Sequence, residues 1–269
     1  MLINENAIIY FSGTGNSLYV ANKIADELNI SQIMSVKELE KNEVTYEGEV
    51  LGIIFPTYYA RIPLIVQETI EKLRISKRTY VFCIVTHGGG PSVVLKRLNN
   101  LLSKKGIHNK SGFLIKMPGN NIFNYGAVSD KRINNLIFKS IQKISTVAKK
   151  INLRIVIWDK SYLVIDTLID FAFTLVTNKI VDNINRTSDD FTTNSTCIAC
   201  GKCVELCPRK NIEIIGLKPR WKEKCEKCAT CIQWCPRESI NWKSKTHSRR
   251  RYKNPYITDK DLEGNKSDD

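Results

Sequence analysis

The chain has 269 residues, 25% of them charged and 42% hydrophobic, a balance that fits a globular protein and excludes a disordered tract. Its formal net charge of +14 is uneven: 20 basic against 11 acidic residues over 1–150, 4 against 6 over 151–190, 15 against 5 over 191–255, and 2 against 5 over the last fourteen. The first residues lack the basic, apolar and small-residue succession of a secretory signal, so the expected location is the cytoplasm.

Short β-rich runs and longer helical patterns alternate through the first 150 residues. Ala7–Phe11 reads as a strand, Asn16–Leu28 as a helix, and Ile33–Val36 as a short strand. Val50–Phe55 is the next strand, and Pro63 opens a helix through Leu73 at the position where proline is tolerated. Tyr80–Thr86 is a near-continuous apolar run of the buried, parallel kind. Ser92–Leu102 reads as a helix, Gly112–Lys116 as a strand and Asp130–Lys150 as a long helix. This alternation predicts a parallel sheet covered by helices on both faces. Cys83 falls inside the third long strand and reads as a buried, inert thiol.

The predicted organisation is four segments: 1–153, a connector at 154–190, a cysteine-rich region at 191–245 and a polar tail at 246–269. Tyr162–Val181 in the connector is apolar enough to suggest a membrane span, but Asp166 and Asp170 interrupt it. A central Asp costs about 2.5–3.5 kcal/mol on insertion. Asp166, Asp170, Thr174 and Thr177 recur at helical spacing, so the reading is an amphipathic helix packed between domains or in a dimer.

Ser12-Gly13-Thr14-Gly15-Asn16-Ser17 follows the first strand and opens the first helix. A hydroxyl- and glycine-rich turn in that position cradles a phosphate, because backbone N–H groups and the helix N-terminus favour an anion. The hydroxyls of Ser12, Thr14 and Ser17 and the side-chain amide of Asn16 add donors. No lysine follows, as an ATP-binding loop requires, and the dinucleotide pattern G-x-G-x-x-G is missing. Neutral donors suit the phosphate of flavin mononucleotide (FMN). Two further loops follow strand ends: Pro56-Thr57-Tyr58-Tyr59-Ala60 and Thr86-His87-Gly88-Gly89-Gly90. In open α/β sheets ligands bind outside the carboxyl ends of the strands, where all three loops fall. Asn120 and Asn121 are weaker candidates for the same site, and His87 reads more simply as an ordinary loop histidine.

Eight of the nine cysteines lie between residues 197 and 235. Cys197, Cys200, Cys203 and Cys207 with Pro208 spell C-x2-C-x2-C-x3-C-P, and Cys225, Cys228, Cys231 and Cys235 with Pro236 repeat it 28 residues later. Three cysteines in a tight loop wrap three corners of an iron–sulfur cube, and the fourth leads away. A pair of zinc sites would need neither the third cysteine nor the C-P.

Residues 195–242 resemble a bacterial-type ferredoxin with two [4Fe–4S] clusters, with Gly201 and Ala229 at the crowded loop positions. That resemblance implies crossed ligation: Cys197, Cys200, Cys203 and Cys235 around one cluster, and Cys225, Cys228, Cys231 and Cys207 around the other. Residues 6–150 resemble a flavodoxin on the strength of the Ser12–Ser17 loop and the two later loops. This implies FMN held by Ser12–Ser17, Pro56, Thr57, Tyr58, Tyr59, Thr86, Gly88, Gly89 and Gly90, with Tyr58 first and Tyr59 second in line to stack on the ring. The whole chain is similar to two-domain flavodoxin–ferredoxin fusion proteins of anaerobic bacteria and archaea, which share the Tyr10–Ser17 opening and the Arg251–Pro255 tail. The expected fold class is therefore a flavodoxin-like doubly wound α/β sheet followed by an α+β two-cluster ferredoxin domain. The expected function is electron transfer between two [4Fe–4S] clusters and FMN, with a flavin-dependent reductase as the alternative. The expected partners are redox proteins with an acidic face. No transmembrane segment is expected. Basic residues are dispersed among acidic ones except at Arg249–Arg251, which argues against nucleic-acid binding.

Overall fold

The computed structural model describes residues 1–39, 43–89, 93–159 and 190–263. The connector helix expected at Tyr162–Val181 and the glycine at position 90 lie outside the described residues. Five strands form one all-parallel sheet: β1 (Ala7–Tyr10), β2 (Gln32–Ser35), β3 (Val50–Pro56), β4 (Tyr80–His87) and β5 (Lys110–Lys116), in the order β2-β1-β3-β4-β5. That order, with its reversal between β1 and β3, is the flavodoxin-like doubly wound arrangement. The apolar runs of β3 and β4 sit in the middle of the sheet with both faces covered, and Tyr80–Thr86 is buried throughout.

Helices α1 (Asn16–Leu28), α2 (Leu64–Lys72), α3 (Val93–Lys104) and α4 (Asp130–Asn152) follow four of the strands. Two cores result. Ile8, Tyr10 and Ile84 face α1 and α4, while Ile9, Ile53 and Cys83 face α2 and α3. Alternate residues of each strand serve opposite faces, as the pleat requires. Burial pushes the Cys83 thiol far above its ordinary range, which agrees with an inert core residue. After α4 the chain returns along the sheet edge, where Trp158 bridges Gly112.

The cysteine-rich region is built from two antiparallel pairs, β6 (Phe191–Thr193) with β9 (Ile240–Trp242) and β7 (Ile212–Ile215) with β8 (Lys218–Trp221), and two one-turn helices, α5 (Lys202–Glu205) and α6 (Thr230–Gln233). The 28-residue sequence repeat is also a backbone repeat. Ala199 and Lys227 have φ of 51° and 50°, Gly201 and Ala229 of 79° and 60°, and Lys210 and Glu238 of 47° and 46°. Each pair is 28 residues apart and left-handed, a conformation that costs a non-glycine residue on the order of 1–2 kcal/mol. Two loops that adopt it at the same three positions are held to one shape by a common demand.

The cysteine-rich region packs directly on the sheet domain. Leu206, Trp234, Tyr252, Ile257 and Leu262 join the core that contains α1 and α4. Among the described residues no helix is long and apolar enough to cross a membrane.

Candidate cofactor site: a phosphate loop beneath two cysteine pockets

Gly15 ends the Ser12–Ser17 turn with φ 91°, a left-handed position that glycine adopts without strain, and no side chain caps the α1 N-terminus. The first N–H groups of a helix have no internal partner, so those of α1 remain available to an anion. The Ser12 hydroxyl accepts from Gly15 N at 3.1 Å, and the Thr14 hydroxyl accepts from Asn120 Nδ2 at 2.5 Å. Each keeps its own proton to donate. Ser17 and Thr86 share a hydroxyl–hydroxyl bond of 2.8 Å that ties the first loop to the third.

A pocket faces these groups. It is lined by Ser12, Gly13, Thr14, Asn16 and Ser17, by Pro56 and Thr57, by Thr86, His87 and Gly88, and by Met117, Pro118 and Asn120. Three loops at three strand ends converge there, as the sequence led one to expect. Met117 and Pro118 carry no chemical signal, and sequence reasoning missed them. Gly15 and Gly89 do not line the pocket, and Tyr58 and Tyr59 border a different cleft, beside Arg61, Gln67, Arg97 and Lys104. The Tyr58 ring meets Phe11 edge-on at 6.1 Å, and its hydroxyl abuts Gly13 of the phosphate loop. Its hydroxyl is buried without a hydrogen-bond partner, and burial followed by the nearby Cys228 and Glu226 pushes its pKa well above the usual range. Orphaned buried polar atoms also occur at His87 Nδ1 and Asn121 Oδ1. Unpaired buried polar groups are costly, so their grouping around these loops fits a polar ligand.

Asn16 plays a part different from the expected one. Its Nδ2 donates to the Pro118 carbonyl at 3.0 Å, and its Oδ1 accepts from the Tyr252 hydroxyl at 2.6 Å and Asn254 Nδ2 at 3.1 Å. The amide therefore holds the tail instead of reaching for a phosphate. Asn254 N also donates to the Thr14 carbonyl at 2.9 Å. Gln233 accepts from Tyr252 N at 2.7 Å and donates to the Asn120 carbonyl at 3.1 Å. Residues 252–257 thus form a strap across the loop, which the sequence marked only as a familiar ending.

The eight cysteines divide between two pockets. One is lined by Cys197, Cys200, Cys203 and Cys235, the other by Cys207, Cys225, Cys228 and Cys231. The fourth cysteine of each motif has crossed to its neighbour's pocket. Among the described residues no three His, Cys, Asp or Glu side chains come close enough to hold a single metal ion. The sulfurs line pockets instead of converging on a point.

The inner pocket is deeply buried. Burial, with neighbouring Cys207 next in weight, pushes the Cys228 thiol up to about 12; burial first pushes Cys225 up to about 11 and Cys231 well above the thiol range. Thiols crowded in this way give up their protons only to a strongly cationic centre. Donors already point at the sulfurs: Asn211 N at 3.3 Å from Cys207, Lys227 N at 3.4 Å from Cys225, and Ser239 N at 3.4 Å from Cys235. Arg251 adds a sharper sign. Its side chain is 6% exposed; Nη2 donates to the Ile240 carbonyl at 3.1 Å and to Asn241 Oδ1 at 3.0 Å, Nε lies 4.0 Å from the Glu238 carboxylate, and Nη1 has no partner among the described residues. A buried guanidinium with a donor to spare near Cys235 and Cys231 fits a group of net negative charge, which a thiolate-ligated [4Fe–4S] cluster carries.

The inner cysteine loop lies against the phosphate loop. A Cβ on Gly13 would fall 2.7 Å from the Cys228 carbonyl oxygen and 2.9 Å from the Tyr58 hydroxyl, so only glycine fits. Trp234 Nε1 donates to the Gly13 carbonyl at 3.0 Å, and Lys253 lies 5.3 Å over the Trp234 ring. Glu226, between Cys225 and Cys228, accepts from Ile65 N at 2.8 Å and Leu64 N at 3.2 Å, which caps α2. It also accepts from Arg209 Nε at 2.7 Å, and Arg209 donates to Glu68 at 2.6 Å. This network clamps the inner loop to the sheet domain.

No protein-family model and no curated protein matches the chain. Solved structures that overlap it include an azoreductase from Bacillus anthracis, at 12% identity over 55% of this chain and 100% of that one, TM-score 0.40. A Trp repressor binding protein from Bacillus subtilis overlaps at 13% identity over 54% and 98%, TM-score 0.38. A flavodoxin from the domain Archaea does so at 15% over 55% and 99%, TM-score 0.30. These overlaps are too loose to carry an assignment, and the fold rests on the strand order itself.

Proposed function

We propose that the protein is an electron relay that holds FMN at the Ser12–Ser17 loop and two [4Fe–4S] clusters in the two cysteine pockets. Cys197, Cys200, Cys203 and Cys235 would hold the outer cluster, and Cys207, Cys225, Cys228 and Cys231 the inner one. When bound, the clusters exchange single electrons and the flavin stores one or two. The observation that carries this reading is the contact between the inner cysteine loop and the phosphate loop, Cys228 against Gly13 with Trp234 bonded to the Gly13 carbonyl. It supports an order running from the surface through the outer and inner pockets to the flavin loop. The protein's own residues set the frame: α1 presents its free N–H groups, Ser12 and Thr14 present hydroxyls, and Glu226 and Arg209 fix the inner loop in place. Arg251 offsets charge in the cysteine-rich region.

Anaerobic purification with iron, sulfide and FMN analysis tests the reading. About eight irons, eight sulfides and one FMN per chain are expected. Iron without flavin would leave the cysteine-rich half standing and remove the relay; flavin without iron would do the reverse.

The cleft beside Tyr58 and Tyr59 favours a second reading, a reductase of a small anionic molecule. It encloses about 340 Å³, with Arg61, Arg97 and Lys104 among its walls. Reoxidation of the reduced protein by a panel of small carboxylates and nitro compounds, compared with buffer alone, tests it.

A further inference from the structure

The two cysteine motifs are the same in spacing and in backbone, yet their second residues behave in opposite ways. Glu226, a charged residue, is 7% exposed and clamps its loop to the sheet domain. Ile198 holds the equivalent place in the outer loop, and it is 61% exposed. A charge is buried where an aliphatic side chain, in the twin loop, stands in water. One loop has found its partner within the chain. The other displays the kind of residue that fills the apolar centre of a protein interface.

The surroundings extend this contrast. Cys200 is exposed, so the outer pocket opens to the surface beside Ile198. Ile214 and Pro219 line the same pocket, and between them the β7–β8 turn carries Leu217, 77% exposed. Arg237 lines the pocket, and among the described residues it has no ion-pair partner; Lys218 and Arg220, exposed on the hairpin, alternate with Pro219 and so stand on its other face. The nearby acids are engaged: Glu213 pairs with Lys222, and Glu238 faces Arg251. Residues 191–255 carry 15 basic against 5 acidic residues, a balance of +10. Two oxidised clusters with eight thiolates would subtract about 4, so the region stays positive.

We infer that the mouth of the outer cysteine pocket, centred on Ile198 and flanked by Arg237 and the Leu217 turn, is the docking surface for a separate, acidic redox protein. The inference rests on the electron-relay reading and adds where the relay meets its partner and what charge that partner carries. Complementary rim charge speeds encounter by roughly 10- to 1,000-fold and does so less as salt rises.

The test uses the full-length protein loaded with iron and sulfide under anaerobic conditions. A reduced acidic plant-type ferredoxin is the probe, dithionite the small-molecule control, and cluster absorbance in a stopped-flow instrument the readout. Ile198→Glu is expected to lower the second-order rate with the ferredoxin at least tenfold. Arg237→Glu is expected to lower it and to flatten its salt dependence. Leu217→Glu, at the hairpin tip and outside the pocket lining, repeats the test should Ile198→Glu lose iron. At high salt, where the charge of dithionite is screened, its rate should stay the same in Leu217→Glu, which separates docking from damage to the cluster. Wild-type rates in these variants, or a wild-type rate that is flat with salt, would overturn the inference. So would a wild-type dimer that Ile198→Glu converts to a monomer, because a second copy would then own the surface. Failure of the relay reading is seen earlier and separately, as a chain that takes up no iron.

Discussion

The inner and outer cysteine pockets come from one motif written twice, and they differ in almost everything except backbone. The inner pocket is closed over by the sheet domain, with Cys231 buried and Glu226 anchored on α2. The outer pocket has an exposed Cys200 and an aliphatic residue in solvent. The cysteines and the left-handed positions make the loop; the residues between the cysteines decide what it faces. A glutamate with two backbone N–H groups and Arg209 in reach is held inside, and the isoleucine in the twin position stays largely in solvent.

The comparison breaks most visibly at Glu226. Glu226→Ala should destabilise the protein by about 3–5 kcal/mol, because it leaves Arg209 buried with less charge to meet and uncaps α2. Ile198→Ala, its counterpart, should stay within about 0.5 kcal/mol of wild type. Urea unfolding of both variants checks the pair, and equal losses would dissolve the contrast. Next in size is Gly13→Ala. Its Cβ would press on the Cys228 carbonyl, and overpacking of this kind costs about 1–3 kcal/mol. The same substitution should loosen the inner loop selectively, so limited iron chelation should remove half the iron faster than in the wild type and leave the other half unchanged.

Tyr252→Phe removes one hydrogen bond to Asn16 and keeps the ring, for a loss of about 1 kcal/mol. Thermal unfolding measures it, and an unchanged midpoint would mean that the bonds of Asn254 and Gln233 hold the strap without the hydroxyl. The smallest effect is in pH. Burial, and then Lys116, hold the His87 imidazole below its ordinary pKa. The folded protein therefore binds that proton less readily than the unfolded chain does. The resulting stability is fully present above the unfolded value of about 6.5 and is lost as pH falls from there through the lower folded value. His87→Gln should flatten the fall in stability between neutral and mildly acid pH, and denaturant titrations across that range would show it.

Much of this was legible in the sequence for physical reasons. β3 and β4 announce themselves because central parallel strands are apolar on both faces. The Ser12–Ser17 turn is readable because a strand, a glycine-rich turn and a helix in succession have one common use. The cysteine spacing foretells two pockets with exchanged fourth members. What stayed hidden depends on residues distant in sequence. Nothing local to Asn16 says that Tyr252 will take its carbonyl oxygen, and nothing in Cys-Glu-Lys-Cys against Cys-Ile-Ala-Cys says which loop turns inward. Tyr58 stands out in the sequence because it follows β3; that its ring meets Phe11 edge-on and its hydroxyl lies beside Gly13 is set by residues distant in sequence.

The strap over the phosphate loop has a consequence for the order of assembly. Asn16 and Tyr252 are separated by 236 positions. A ribosome adding about 5–20 residues per second needs roughly 10–50 s to cover that distance. Through that interval the N-terminal sheet can form while the start of α1 still lies uncovered. The last piece to arrive ties down the first loop to be made, so the Ser12–Ser17 turn gains its bonds from Tyr252 and Asn254 only at the end of synthesis.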